Sequence, residues 1–254
     1  MQIQEIYRKD IRTVSKNQTI QEALKIMGSK LTKLPVTDGG KLVGIITTRD
    51  ILRVVGSSHS QSPEHAHISG VMQKELKVLP PDTDIKTAVR TMLDSDISSL
   101  LVVEGETLLG LLTKTDLLGA CKEITRPVSE FAVEPLTVSP GHRLPHVREL
   151  MFKKNISIIP VTDGGKFIGI ILSRDIARKI LDFKKDVKKH QDAIRNMAVE
   201  DFYKPDTTSI PPETTVGEAA TKLLEEKRTS LPIMENGELV GIVSKTDLLR
   251  ALLD

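Results

Sequence analysis

The chain of 254 residues has no tryptophan, only five phenylalanines and two tyrosines, and one cysteine. With Cys121 alone, no disulfide forms within the chain, and a reducing setting such as the cytoplasm is expected. So few aromatic rings leave little to stack the bases of a single-stranded nucleic acid. No run approaches 18 apolar residues, so no membrane-spanning helix is expected, and the opening MQIQEIYRKD lacks the apolar stretch of a secretory signal. A formal net charge of +2 is too near balance to argue for a polyanionic partner. Gly-x-Ser-x-Gly, His-Glu-x-x-His and a Gly-rich phosphate loop ending in Lys are all missing. Hydrophobic residues make up 39% and charged residues 28%, the balance of a globular protein with a sizeable core.

What is present is repetition. KTDLL occurs at 114–118 and 245–249, and PVTDGGK at 35–41 and 160–166. Both sit in a longer pattern: LPVTDGGKLVGIITTRDILR (34–53), SLLVVEGETLLGLLTKTDLL (99–118), IPVTDGGKFIGIILSRDIAR (159–178) and LPIMENGELVGIVSKTDLLR (231–250). Each copy reads as a strand, a tight turn, a second strand and a helix. Asp38-Gly39, Asp163-Gly164 and Asn236-Gly237 are predicted as the two-residue turns, because these residues accept positive φ. Upstream of each lies a short strand and an amphipathic helix, as in TVSKNQTIQEALKIM (13–27), where Ile20, Ala23, Leu24 and Met27 share a face.

The sequence therefore predicts an α/β (α+β) chain of four β-α-β-β-α units. The longest identities join the first unit to the third and the second to the fourth, as duplication of a two-unit ancestor would leave them. The expected domains are 1–121, with units at about 1–55 and 66–121, and 122–254, with units at about 125–181 and 195–254. Units this short bury little core alone, which favours pairing.

Each second strand leads into Gly-x-x-(Thr/Ser)-x-x-Asp: Gly44, Thr47, Asp50; Gly110, Thr113, Asp116; and Gly241, Ser244, Asp247. The third unit keeps Gly169 and Asp175 but has Leu172 in place of the hydroxyl. Two readings stand. The hydroxyl and the acid three residues on form a helix capping box. Alternatively the short carboxylate accepts both cis-hydroxyls of a ribose, while helix-start amides receive phosphate. Asp in all four units, where a capping box prefers Glu or Gln, fits the second reading better.

With these motifs in register, the four units resemble CBS domains, the regulatory modules named after cystathionine β-synthase, over nearly the whole chain. Four in one chain resemble the gamma subunit of AMP-activated protein kinase. The resemblance implies pseudo-symmetric pairs joined through their sheets, with clefts that bind adenosine nucleotides or S-adenosylmethionine. By position, it implies Asp50, Asp116, Asp175 and Asp247 as ribose ligands, with Thr47, Thr113 and Ser244 beside them. Base contacts would come from Leu31 and Thr32, Ile97 and Ser98, Ile156 and Ser157, and Arg228 and Thr229. Thr83 and Thr214 match a further base-contacting position, where Gln18 and His142 stand in the other two units. Arg49, Arg174, Lys114 and Lys245 would offset phosphate charge, or are ordinary solvated residues at a helix start.

The expected protein is non-catalytic and needs no catalytic cofactor or metal, the repeats leaving no room for a catalytic domain. It would bind AMP, ADP or ATP as regulatory ligand and signal to an unknown partner protein, as a monomeric disc or homodimer. Two alternatives stay open. One is S-adenosylmethionine sensing; the other is a nucleic-acid-associated role for the basic stretch 182–190, with Lys184 and Lys188 on one face. His59, His65 and His67 match no standard zinc spacing, with only Glu64 nearby, and read as linker. Cys121 reads as structural.

Overall fold

The computed structural model describes residues 1–28, 31–55, 65–176 and 196–254. The basic stretch 182–190, His59 and Glu64 lie outside the described residues. The first unit runs β1 (Val14–Ser15), α1 (Ile20–Met27), β2 (Lys33–Asp38), β3 (Lys41–Thr47) and α2 (Thr48–Val55). The second runs β4 (Val78–Leu79), α3 (Ile85–Asp94), β5 (Ser99–Glu104), β6 (Thr107–Thr113) and α4 (Lys114–Leu117). The third has α5 (Leu144–Lys153), β7 (Ile158–Asp163), β8 (Lys166–Leu172) and a helical turn at 173–176. After β9 (Lys204–Pro205), the fourth has α6 (Val216–Glu225), β10 (Ser230–Glu235), β11 (Glu238–Ser244) and α7 (Lys245–Arg250). Single parallel bridges, Val138 to Val161 and Ile210 to Ile233, stand in the last two units where β1 and β4 stand in the first two.

The four antiparallel hairpins share one geometry. Asp38 pairs with Lys41 and Asp163 with Lys166, so the two-residue turns are Gly39-Gly40 and Gly164-Gly165, one residue later than Asp-Gly. All four of these glycines have positive φ, between 53° and 86°, which a Gly-Gly pair adopts at less cost than Asp-Gly. Only the fourth unit turns on the predicted pair, Asn236-Gly237. Each hairpin carries a bulge at the same place, leaving Val43, Leu109, Ile168 and Val240 without a ladder partner just before the motif glycine.

The units are not self-contained, because each leading segment packs on the partner. Ile3 of the first unit donates its amide to Thr83 O of the second at 2.9 Å, and Ile68 donates to Gln18 O at 2.9 Å in return. The same exchange joins the other pair: Val128 to Thr214 O at 2.8 Å, and Val199 to His142 O at 2.9 Å. Beyond these bonds the exchanged segments add an edge to the host sheet, through Arg8 with Leu111, Gln73 with Ile45, Val133 with Ile242 and Lys204 with Ile170. The motif glycine makes room for them: a Cβ on Gly110 would lie 2.3 Å from Arg8 O, and one on Gly169 2.2 Å from Lys204 O.

The apolar cores cross this pairing. One cluster unites the second and fourth units, with Val89, Met92, Leu112, Leu223, Val243 and Leu248 all fully buried. The other unites the first and third, through Ile20, Leu34, Ile51, Val147, Ile159 and Ile171. Segment exchange thus joins units one to two and three to four, while apolar burial joins two to four and one to three. Burying each such side chain contributes about 1.5–3 kcal/mol, so both kinds of junction hold the units together. Among the described residues no helix is long and apolar enough to cross a membrane.

Candidate functional site

The repeated Asp residues occupy the first turn of the helix after each hairpin. In three units the local bonds are the same. Asp50 Oδ2 accepts from Thr47 N at 2.9 Å and Thr47 Oγ1 at 2.6 Å. Asp116 Oδ2 accepts from Thr113 N at 2.8 Å and Oγ1 at 2.6 Å, and Asp247 Oδ2 from Ser244 N at 2.9 Å and Oγ at 2.6 Å. This is the capping arrangement, and it engages one carboxylate oxygen. The other oxygen, Oδ1, faces away from the cap, and the carboxylate is held rigidly at the positive end of the helix.

The third unit departs as its Leu172 implies. Its helix starts at Ser173, which is 5% exposed and donates its amide to Ser157 O at 3.0 Å. Asp175 lacks a hydrogen-bond partner at Oδ2; the Lys204 ammonium lies 2.8 Å from that oxygen as an unaligned ion pair, and Arg174 Nε lies 3.8 Å from Oδ1.

The strand-start residues expected at the base converge on these helix starts. The carbonyls of Thr32, Ser98, Ser157 and Thr229 accept the amides of Thr48, Lys114, Ser173 and Lys245 at 2.9–3.3 Å. Leu31, Ile97 and Ile156, half-buried, close the preceding helices by donating to Met27 O, Met92 O and Met151 O. Arg228, at the equivalent place in the fourth unit, is committed elsewhere: its guanidinium pairs with Asp206, and its Nε is buried without a partner. Thr83 and Thr214 stand where the exchanged segments dock, as do Gln18 and His142. The Thr83 hydroxyl turns back to Pro80 O at 2.8 Å.

Cations gather where the units meet. Lys114 Nζ donates to Thr246 Oγ1 at 2.8 Å, and Lys245 Nζ to Thr115 Oγ1 at 2.6 Å, a reciprocal pair between the second and fourth units. Arg49 reaches the third unit, donating to Asn155 O at 3.1 Å and Ser157 Oγ at 3.2 Å. Lys33 joins them, its Nζ 2.6 Å from Ser98 Oγ. These bonds end on neutral oxygens, while the carboxylates of Asp50, Asp96, Asp116 and Asp247 offset part of the charge from nearby. Burial, then the Lys114 and Lys245 charges, push the Lys33 ammonium down to about 7. Burial, then Arg8, pushes Lys245 down to about 8, and burial lowers Lys114 and Arg49. An anion bound among them would reverse these shifts.

Sequence reasoning missed Lys33, Arg8, Gln73 and Lys204. Lys33 stands where the other units have Ser99, Ile158 and Ser230, a difference visible on aligning the repeats. The other three belong to the exchanged segments, whose register recurs as IYRKD, VMQKE and FYKPD before each strand start. Among the described residues no cluster of His, Cys, Asp and Glu could hold a metal ion; His67 Nδ1 lies 2.7 Å from Asn17 O. Cys121 is buried, and burial pushes its thiol up to about 12, so it is inert packing. A shallow depression of about 420 Å³ on α6, flanked by Lys122 and Glu218, contains none of the repeated site residues.

The CBS-domain family model matches residues 3–57, 68–123, 128–182 and 199–254. The uncharacterized MJ1225 protein of Methanocaldococcus jannaschii is 26% identical over 266 residues, covering 95% of each chain. Its crystal structure, of a protein proposed as an archaeal homologue of the AMP-activated kinase gamma subunit, superposes with a TM-score of 0.89, at 22% identity and 99% and 100% coverage of the two chains. An uncharacterized protein from Pyrococcus horikoshii shares the fold at a TM-score of 0.67 and 21% identity, with coverage of 99% and 100%. Half of the chain also matches 24% of an inosine-5′-monophosphate dehydrogenase of Korarchaeum cryptofilum, at 30% identity over 128 residues. Matched in all four units, and sharing its architecture from end to end, the chain belongs to the CBS-domain family.

Proposed function

We propose that this protein is a non-catalytic sensor that binds adenosine nucleotides at its helix-start carboxylates and reports their occupancy to a partner protein. The observation that carries the reading is a conjunction. Capped carboxylates, whose Oδ1 atoms are met only by displaceable side chains such as Gln73, Arg8 and Arg250, stand beside a cluster of cations whose hydrogen bonds end on neutral oxygens. A ribose diol suits the first, and phosphate suits the cations. S-adenosylmethionine supplies a diol but brings a sulfonium cation in place of phosphate, which this cluster repels. A ligand held between units joined by exchanged segments biases their relative orientation, which a partner can read.

The test is a thermal-shift panel of AMP, ADP, ATP and S-adenosylmethionine at millimolar concentration, with the nucleotide analysed afterwards for turnover. A ligand present at a hundred times its Kd stabilises the fold by about 2.7 kcal/mol. Stabilisation by the nucleotides, with the nucleotide recovered intact, is the expected result. No shift with any of the four would overturn the reading.

A further inference from the structure

The clefts share one plan but differ in what the exchanged segment brings to each carboxylate. On Asp116 it places Arg8, whose Nε donates to Oδ1 at 2.7 Å. On Asp50 it places Gln73, whose Nε2 donates to Oδ1 at 3.0 Å, and on Asp175 it places Lys204 at 2.8 Å. The matching residue in the fourth unit is Val133, which has no polar atom to offer. Among the described residues Asp247 Oδ1 is met from its own helix alone, by Arg250 at 3.0 Å, and the Arg250 side chain is 53% exposed. Its exposure is close to that of the Arg8–Asp116 pair, but it comes from the helix of Asp247 itself and not from an exchanged segment.

A second observation sets the fourth unit apart. Elsewhere the exchanged segment presses Tyr7, Met72 or Tyr203 against the motif glycine; here it presents Ala132, whose Cβ lies 3.4 Å from the place a Cβ on Gly241 would occupy. Val133 and the bulged Val240 are left 44% and 45% exposed, whereas Val43, Leu109 and Ile168 at the same bulge are half-buried. Among the described residues, apolar surface therefore lies open beside Asp247, which is itself only 5% exposed and meets no side chain of an exchanged segment.

We infer that the exchanged segments grade the clefts, each charged or polar side chain acting as an intramolecular competitor for the ligand diol. This rests on the nucleotide reading above and adds to it an order of filling. Asp50, facing the neutral Gln73, fills first. Asp247, which meets Arg250 at 3.0 Å, comes next, then Asp116, whose Arg8 at 2.7 Å must be displaced from an exchanged segment. Asp175 fills last, since it faces Lys204 and has no hydroxyl at Leu172.

Two reciprocal variants test this. Arg8→Val removes the competitor from Asp116 but keeps the backbone bonds of Arg8 with Leu111, both 3.0 Å. Val133→Arg introduces one opposite Asp247. Affinity for AMP at each cleft is read by calorimetry, with occupancy assigned in crystals soaked at graded AMP. Arg8→Val should tighten the Asp116 cleft and Val133→Arg weaken the Asp247 cleft, each by about fivefold, the scale of one partly exposed ion pair. If AMP binds the parent but neither affinity moves, or if Arg8→Val weakens binding because Arg8 contacts phosphate, the grading is wrong and the sensor reading survives. If AMP binds neither parent nor variants, both fall together.

Discussion

At the scale of single residues, the account turns on where charge is only partly offset. Lys33 is the sharpest case. Its ammonium is held down to about 7 from an ordinary 10.5, first by burial and then by Lys114 and Lys245, against the opposing pull of Asp116. Between those two values the unfolded chain carries a proton that the folded chain lacks, so this lysine makes stability rise with pH through that window. Below pH 7 the side chain is charged in both states, and its burial costs most relative to an uncharged residue. Lys33→Met is therefore expected to raise the melting temperature of the ligand-free protein at pH 6, with the advantage shrinking as pH rises toward about 10. Melting curves of both proteins across that range check it, and an advantage that grows with pH would contradict the assignment.

The repeated Thr/Ser–Asp pairs were legible in the sequence because both partners lie within one helical turn. The capping reading proved correct for Thr47, Thr113 and Ser244, and it leaves the second carboxylate oxygen to Gln73, Arg8 and Arg250. The Lys33 contact was not legible, because its hydroxyl partner, Ser98, lies 65 residues away.

At the scale of elements, the hairpin and helix pattern was readable from periodicity, down to a one-residue shift of two turns caused by the Gly-Gly pairs. The exchange of leading segments was not. A short segment such as IYRKD has no local preference for its own unit over the next; its docking is tertiary, through backbone bonds and through the steric demand at Gly44, Gly110 and Gly169. That demand is testable. On Gly110 a Cβ would lie 2.3 Å from Arg8 O, whereas on Gly241 the nearest contact is 3.4 Å. Gly110→Ala should destabilise the protein by about 1–3 kcal/mol in denaturant unfolding, the usual cost of forcing extra volume into packed structure, and Gly241→Ala by much less. Equal costs would mean that the exchanged segments do not dock as described.

At the scale of the whole molecule, segment exchange and apolar burial join the units along different axes, so each unit is bonded to two others. A change at one carboxylate therefore has a physical route to the neighbouring units, which a sensor requires. In the proposed reading the carboxylate grips a ribose diol in addition to capping a helix. Calorimetric titration of the unmodified protein with AMP and with 2′-deoxy-AMP tests this, since the two differ only in the 2′-hydroxyl, one of the two donors whose hydrogen bonds the carboxylate would accept. A hydrogen bond to a charged group contributes about 1.5–3 kcal/mol, so the account predicts roughly ten- to a hundredfold weaker binding of the deoxy nucleotide. Equal affinities for the two would contradict it, leaving Asp50, Asp116 and Asp247 as helix caps alone.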